Sequence, residues 1–392
     1  MLELIISREN QIKKIALVKN GKLVEYYEDS EDSNRNEGNI YIGVVKDIVR
    51  GMQSAFVDIG TEKNSFIHLK DILPKVDEKE EKIDLNKDVK DVIKVNDTIL
   101  VQVKKDSNDK KGARVSTHIN LPSKYIVLMP NTNIITISKK IENEEEKNML
   151  ITIVKNNLPQ NTGAIIRTSA KGEEEEKIIQ DIKYISNKWN EIENKYNNSK
   201  QKSPCLIYKS PDIAEKIMID TFSNGLEKIV VNNEKDYTEI KNRIENNENV
   251  EIILKKDENI IDKYDISKQI DKMKERKIWL KCGGFITIDK TEALTAIDVN
   301  TGKYTGKKNL EDTVYKVNEE ATLEIAKQVR LRDIGGIIIV DYIDMNNIKN
   351  KEKIQRILNE KLKEDRAKTQ VEGFTKLDLM EFTRKHICSH KS

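Results

Sequence analysis

Short runs of Ile, Val and Leu, separated by charged stretches, mark out elements along almost the whole chain. At the N-terminus, Leu2 to Ile6 and Ile15 to Val18 are strand-like, and Asn20-Gly21 is a tight-turn signal before Leu23-Val24. Residues 1–36 therefore read as a small hairpin with a polar linker over 28–38. Such a hairpin is not stable alone, so it is expected to join a sheet built from later residues. From Asn39 to Ile119 the pattern becomes densely β, with runs at Ile40–Val45, Ala55–Gly60, Ser65–Leu69, Thr98–Val103 and Ala113–Ser116. Five short strands predict an OB-type barrel, and Pro74 to Lys94 reads as a solvated, mixed-charge loop within it.

Periodicity then changes. Gly163–Thr168 reads as a strand running into a loop, and Ile178, Ile182, Ile185, Trp189, Ile192 and Tyr196 recur at spacings of three and four. That stripe predicts a long charged helix with one apolar face, spent on core packing. Residues 206–275 alternate short strands (Lys228–Val231, Val250–Leu254) with charged helical segments. After Gly283-Gly284 the order is hairpin, helix, strand, helix and two further strands, the helix marked by Val314, Val317, Ala321, Ile325 and Val329. The pattern as a whole predicts an α+β/α/β multidomain protein.

Composition narrows the chemistry. Charged residues make up 35% and hydrophobic residues 37%, with 69 Lys and Arg against 67 Asp and Glu, so any polyanion-binding surface must be local. The longest aliphatic run is Ile337 to Val340, far below a membrane span, and the N-terminus carries no secretion signal. Cys205, Cys282 and Cys388 make no disulfide framework, and a cytoplasmic location is expected. The four histidines are His68, His118, His386 and His390, so an acid–base pair of histidines would have to come from distant segments. Carboxylates and a metal are the expected catalytic groups.

The sequence supplies such carboxylates. Phe285–Ile288 and Ala293–Ile297 form a hairpin through Asp289–Glu292, and the second strand runs into Asp298-Val299-Asn300. A further strand, Ile337 to Val340, runs into Asp341. Strand, helix, strand brings both strand ends to one edge of a sheet. Two carboxylates there repel unless a cation lies between them, and magnesium is the natural candidate because it takes one or two carboxylates plus water and phosphate oxygens. Asn300 is placed to hold a phosphate or a water. The plainer reading is that these residues cap strands and turns, as Asp commonly does. Asp344 is a competing ligand, ranked lower because alternation turns it away from Asp341.

The segments GGFITIDKTEALTAIDVNTGK and RLRDIGGIIIVDYIDM resemble the catalytic region of the bacterial RNase E/RNase G endoribonucleases. NIYIGVVKDIVRGMQSAFVDIGTEKNSFIHLKDI is similar to that family's RNA-binding OB module, and KKGARVSTHINLPSKYIVLMPN and GAIIRTSA follow in the expected order, so the likeness runs over about residues 1–385. It implies an RNase H-like unit from residues 1–36 and 207–275, interrupted by an OB-fold (37–119) and a 5′-sensor region (120–206). A deoxyribonuclease-I-like catalytic subdomain would follow at 276–392. It puts the metal-binding aspartates on Asp298 and Asp341 and the active-site asparagine on Asn300. Phe56 and Phe66 take the places of RNA-contacting aromatics, where stacking is worth about 1–3 kcal/mol per base. The alternative for both rings is barrel core. Lys105 and Lys111 match basic positions, and Arg167-Thr168 match a pocket for a 5′-monophosphate, for which a guanidinium fork and a hydroxyl are suited.

The implied activity is magnesium-dependent cleavage of single-stranded, AU-rich RNA to 5′-phosphate and 3′-hydroxyl ends in rRNA processing and mRNA decay. Two departures from the family pattern stand out. The family's CPxC motif, through which two chains share zinc, is missing; Cys388 and His390 offer only a mixed site, so zinc and a zinc-linked tetramer are not expected. A homodimer through the catalytic subdomain is the assembly that remains. Lys139-Lys140 stands where arginines are common, which keeps charge but loses bidentate phosphate binding. The rival readings are a non-catalytic RNA-binding protein with a degenerate acidic site, and a metal-dependent deoxyribonuclease or phosphatase.

Overall fold

The structure, a computed structural model, describes residues 1–30, 35–72, 88–107, 111–198, 203–222, 225–244, 250–256, 259–302 and 310–388. The chain forms two compact units, one of residues 1–32 and 225–392, the other of residues 33–224. The first unit opens with three strands, β1 (Leu2–Glu9), β2 (Ile12–Lys19) and β3 (Lys22–Ser30), in an antiparallel meander. Each of the three apolar runs read in residues 1–36 falls on a strand, and the turn between the first two is the part not anticipated. Asn10-Gln11 makes a second tight turn, with φ of 47° and 66°, beside Asn20-Gly21 at 51° and 74°. Both central residues at positive φ suit the twist of a two-residue hairpin, and a Gln in that place gives little sequence signal.

The second unit begins with β4 (Ile40–Val49), β5 (Ser54–Asp58), β6 (Ser65–His68), helix α1 (Val89–Val92), β7 (Thr98–Lys105) and β8 (Arg114–Ser116). The order β4-β5-β6-β8-β7 closes through β4–β7 pairing into the five-stranded barrel expected. Val45, Ala55, Val57, Ile67, Val101 and Val115 fill it. Gly43 lets β4 serve both neighbours, because a Cβ there would lie 2.5 Å from Val57 Cγ1. Most of the expected Pro74–Lys94 loop lies outside the described residues. Its last part is corrected: α1 caps on Asp88, and Val89 and Ile93 are buried in the barrel core.

A four-stranded sheet follows in the same unit, from β9 (Leu121–Pro122), β10 (Ile126–Pro130), β11 (Ile135–Ile137) and β12 (Thr162–Ile166), in the order β11-β12-β10-β9. Helix α2 (Glu144–Asn157) starts at an Asn143 cap, with Glu144, Glu145 and Glu146 in its first turn facing the positive end of the helix dipole. Helix α3 (Glu175–Asn198) buries Ile178, Ile182, Ile185, Trp189 and Ile192, the stripe expected for packing. Strand β13 (Cys205–Tyr208) pairs with β4, and α4 (Ile213–Thr221) opens on an Asp212/Glu215 capping box.

The chain then returns to the first unit. Strand β14 (Leu226–Val231) pairs in parallel with β1, and after α5 (Glu234–Ile244), β15 (Glu251–Leu254) extends that sheet to the order β15-β14-β1-β2-β3. Helices α6 (Ile260–Lys263) and α7 (Ser267–Lys274) lead to a six-stranded sheet. Its strands are β16 (Lys277–Trp279), β17 (Phe285–Lys290), β18 (Leu294–Asn300), β19 (Gly336–Asp341), β20 (Thr369–Phe374) and β21 (Leu379–Arg384), in the order β16-β17-β18-β19-β21-β20. Helix α8 (Leu310–Leu331) connects β18 to β19, and α9 (Ile348–Leu362) follows β19. Val317, Ala321, Ile325 and Val329 of α8 pack with Ile354 and Leu358 of α9 on Ile286, Ile297, Val299, Ile338 and Val340. One face of the sheet is therefore covered by helices, and the residues that alternate with these point the other way.

Two ionic centres lock this unit. Arg384, fully buried, pairs with Asp333 at 2.7 Å and Asp365 at 2.8 Å, tying the end of β21 to the loops after α8 and α9. Glu25, also fully buried on β3, meets Arg330 at 2.6 Å and Arg366 at 2.8 Å. Burial alone would raise the Glu25 carboxyl, but the two guanidinium groups outweigh it and hold it below its ordinary value. A depressed folded value means stability that is complete above the ordinary glutamate range and is lost as pH falls through the folded value. Glu25→Gln should therefore lower the unfolding free energy by about 1–3 kcal/mol at neutral pH, because it leaves two partly buried guanidinium groups without their carboxylate. Urea unfolding at pH 7 and pH 4 checks this: the gap between variant and wild type must narrow toward acid.

Candidate functional site

The parallel ladder between β18 and β19 places Leu294 opposite Ile337 and continues in step to Asp298 opposite Asp341. Asp298 lies inside β18 and Asp341 is the last residue of β19, where the sequence reading had put both in the loops just beyond. The strands run on because Val299 is still needed by the core beneath α8. Strands in a ladder stand roughly 4.8 Å apart, so the two aspartates are immediate neighbours. Ala296, Asp298 and Asn300 share the open face of β18, alternating with buried Thr295, Ile297 and Val299. The Asn300 side-chain amide donates to Asp298 Oδ2 at 2.5 Å. Asp344 lies past the end of β19, exposed, where strand alternation no longer governs it.

Asp298 and Asp341 line a shallow cleft together with Asp289, Ala296, Ile339 and Leu379. Asp289 escaped the sequence reading, which had assigned it to a turn; it is a strand residue opposite Ala296, on the same face as Asp298. Arg276 holds it through two hydrogen bonds, one of 2.6 Å, and this pairing keeps its carboxyl below the ordinary aspartate value. The cleft thus contains a neutralised carboxylate and an adjacent pair, Asp298 and Asp341, whose side chains are exposed. Among the described residues no group of three or more His, Cys, Asp or Glu gathers as a closed cage. An all-oxygen, solvent-open pair is what a hard divalent ion such as magnesium accepts, since water and substrate complete its shell. Cys388 is buried, with its backbone N–H on Asp333 at 2.8 Å, while His390 lies outside the described residues.

The other candidates lie in the second unit. Phe56 and Phe66 are directly opposed on β5 and β6, with their rings 6.2 Å apart and edge to face. Their neighbours Ala55, Val57 and Ile67 are the core residues, so the two rings form a half-buried pair on the outer surface of the barrel. Across the strands the register runs Phe56, Phe66, Arg114, Lys105. Arg114, which the sequence reading passed over, stands between the aromatics and Lys105 and pairs with Asp71 at 2.7 Å. Its outward side was signalled by alternation with the apolar Val115. Lys111 is exposed just before β8.

Arg167 and Thr168 follow β12 directly. The Arg167 guanidinium donates to the Ser123 carbonyl at 2.6 Å and is ion-paired with Asp220 of α4. The Thr168 hydroxyl lies 2.8 Å from that of Ser138, which also receives the Lys140 backbone N–H. Lys139 and Lys140 are exposed beside it. The Ser123–Tyr125 segment is anchored by Asp181 of α3, which accepts from the Ser123 hydroxyl and from the Tyr125 N–H at 2.8 Å. Burial nevertheless holds the Asp181 carboxyl above its ordinary value.

A barrel with an outward row of half-buried aromatics and basic residues, joined in one chain to a sheet with paired carboxylates, is the make-up of a nucleic-acid-processing hydrolase. Residues 120–387 match the Ribonuclease E/G family and residues 35–118 the S1 RNA binding domain. Ribonuclease G of Haemophilus influenzae is 36% identical over 98% of this chain and 79% of its own length, and that of Escherichia coli K12 is the same on all three counts. Ribonuclease E of Buchnera aphidicola is 31% identical over 98% of this chain, which spans 40% of that longer protein. The chain belongs to the Ribonuclease E/G family. It is an endoribonuclease with an RNA-binding barrel, and its role is in RNA processing. Among the described residues no helix is long and apolar enough to cross a membrane.

The placement of the barrel aromatics has a direct consequence for stability. Phe66→Ala should cost about 1–2 kcal/mol, the loss of a half-buried ring and its partner contact. Ile67→Ala, one residue on and fully buried, should cost about 2–5 kcal/mol. Urea unfolding of the two variants ranks them, and a reversed order would return the ring to the core.

Proposed function

We propose that the chain hydrolyses single-stranded, AU-rich RNA in a magnesium-dependent reaction at Asp298, Asn300 and Asp341, leaving 5′-phosphate and 3′-hydroxyl ends. One observation carries the reading: the in-step pairing of Asp298 with Asp341 on an otherwise uncharged stretch of parallel ladder, with Asn300 bonded to one of them. Asp298 and Asp341 would hold the ion, and bound magnesium supplies polarisation of a phosphoryl oxygen and a more acidic attacking water. Asn300 orients the Asp298 carboxylate and presents its amide to the phosphate. The shortage of histidines supports direct hydrolysis, since a cyclic-phosphate route normally wants an acid–base pair.

The barrel reads the strand through Phe56 and Phe66, on which unpaired bases stack, and through Lys105 and Lys111, which meet phosphates. Arg167 and Thr168, with Lys139 and Lys140 close by, suit a terminal 5′-monophosphate. For Arg167 to take it, the phosphate must compete with Asp220, a demand that favours a compact dianion over a hydroxyl end. Residues 1–36 and 207–275 are read as RNase H-like and 276–392 as deoxyribonuclease-I-like, around an OB-fold at 37–119 and a 5′-sensor region at 120–206; compact packing instead groups 33–36 and 207–224 with the barrel and sensor unit. A cytoplasmic location, action on rRNA precursors and mRNA, and a homodimer through the catalytic subdomain complete the proposal.

Asp298→Asn and Asp341→Asn should each lower cleavage of a defined oligoribonucleotide by roughly 10²–10⁴-fold, the worth of the metal's charge stabilisation. RNA affinity measured in EDTA should stay within about threefold of wild type, because the barrel contacts are untouched. Turnover retained in either variant would falsify the metal-site assignment. Arg167→Ala should bring the rate ratio between 5′-monophosphorylated and 5′-hydroxyl substrates close to one. An unchanged ratio removes the sensor role.

A further inference from the structure

Strand β16 is the edge of the six-stranded sheet, and its alternation leaves Ile278 buried while Lys277 and Trp279 project from the open face. Trp279 is 56% exposed, whereas the chain's other tryptophan, Trp189, is 6% exposed in a core. Its ring meets Phe285 of β17 edge-on, with centroids 5.3 Å apart and planes at 62°. The Lys277 ammonium lies 4.2 Å from the Trp279 centroid and 3.6 Å from that of Phe285. An exposed indole on a sheet edge is a liability for self-association unless something occupies it.

The register says where this shelf stands. Trp279 is opposite Phe285, Phe285 is opposite Asn300, and Asn300 holds Asp298. By strand spacing, Phe285 and Trp279 are roughly 5 and 10 Å from Asn300 across the same face, the scale of one nucleotide. The surrounding charge is also suited to RNA: Lys272, Lys274, Lys277 and Lys281 lie within ten residues whose one acid is Glu275 and whose arginine, Arg276, is paired with Asp289. A second protein copy would need far more apolar area than one indole and half a phenyl ring for a stable contact. Aromatic faces with an ammonium over them instead match a single unpaired base and its phosphate.

We propose that Lys277, Trp279 and Phe285 form a base-stacking subsite for the nucleotide flanking the scissile phosphate. Trp279 and Phe285 receive the base, and Lys277 meets the backbone. This rests on the reading of Asp298 and Asp341 as the cleavage site. It adds that the strand is checked for an unpaired base beside the chemistry itself, separately from the barrel, because a paired base has no free face to stack.

The test uses the full chain and a defined single-stranded oligoribonucleotide. Titrated in EDTA, the RNA should quench tryptophan emission in wild type, and that quench should vanish in Trp279→Phe, where only Trp189 emits. With magnesium, Trp279→Ala should raise KM by about 5- to 100-fold, the loss of one stacked base, and Trp279→Tyr should recover most of it. A quench that survives in Trp279→Phe, or an unchanged KM in Trp279→Ala, overturns the subsite. If wild type shows no magnesium-dependent cleavage, the acidic-site reading fails instead, and the quench in EDTA still decides the shelf.

Discussion

The site depends on one constraint, the parallel pairing of β18 with β19. Parallel neighbours cannot be joined by a tight turn, so the chain must travel out and back through a helix, here α8. The apolar stripe of α8 packs on Ile297, Val299, Ile338 and Val340, and this packing fixes the register. A slip of one residue would turn Ile297 or Val340 outward, at a loss of about 1.5–3 kcal/mol for each exposed side chain. The same register that buries those residues sets Asp298 against Asp341. Like charges directly opposed on a sheet are unfavourable. The hydrophobic core therefore holds together two groups that would separate if left free, which is why the proposed function places a cation between them.

That arrangement explains the contrast between the cleft's three carboxylates. Asp289 has its own guanidinium and is electrostatically satisfied. Asp298 has the Asn300 amide, a neutral donor that orients it without cancelling its charge. Negative charge is thus concentrated on the paired positions. The Arg384 and Glu25 centres stand in opposition to this: there a fully buried charge is met by two partners of opposite sign, which ties distant segments of the scaffold together.

How much of this was legible in the sequence follows from the range of each signal. The stripe on α8 was readable because a helix writes its buried face at fixed local spacing, and each of Val317, Ala321, Ile325 and Val329 is buried. Asp298 and Asp341 stood out because each ends an apolar run. Their exact position was missed, because the end of a run does not mark the last ladder bond. Asp289 and Arg114 were missed for a deeper reason: their importance comes from partners across a sheet, and register between distant strands is not written locally. The link from Arg167 to Asp220 is of the same kind, spanning 53 positions between a strand end and a helix. The second turn, at Asn10-Gln11, was lost because Gln is an uncommon residue at positive φ.

The two surfaces proposed to contact RNA solve one physical problem in the same way. On the barrel a cross-strand row runs from Lys105 and Arg114 to Phe66 and Phe56; on the catalytic sheet a row runs from Trp279 through Phe285 to Asn300, with Lys277 above it. Each uses outward positions of a sheet whose inward positions are already committed to a core, so ring placement adds no backbone ordering beyond what folding requires. Each sets a cation beside π-faces, which draws in the phosphate while leaving base identity open. A single-stranded substrate satisfies both kinds of row, and a duplex satisfies only the cations, because its bases are already stacked. On the proposed reading, selection for unpaired RNA needs no loop that closes or probes: it follows from giving aromatic surface to bases at more than one place along a strand.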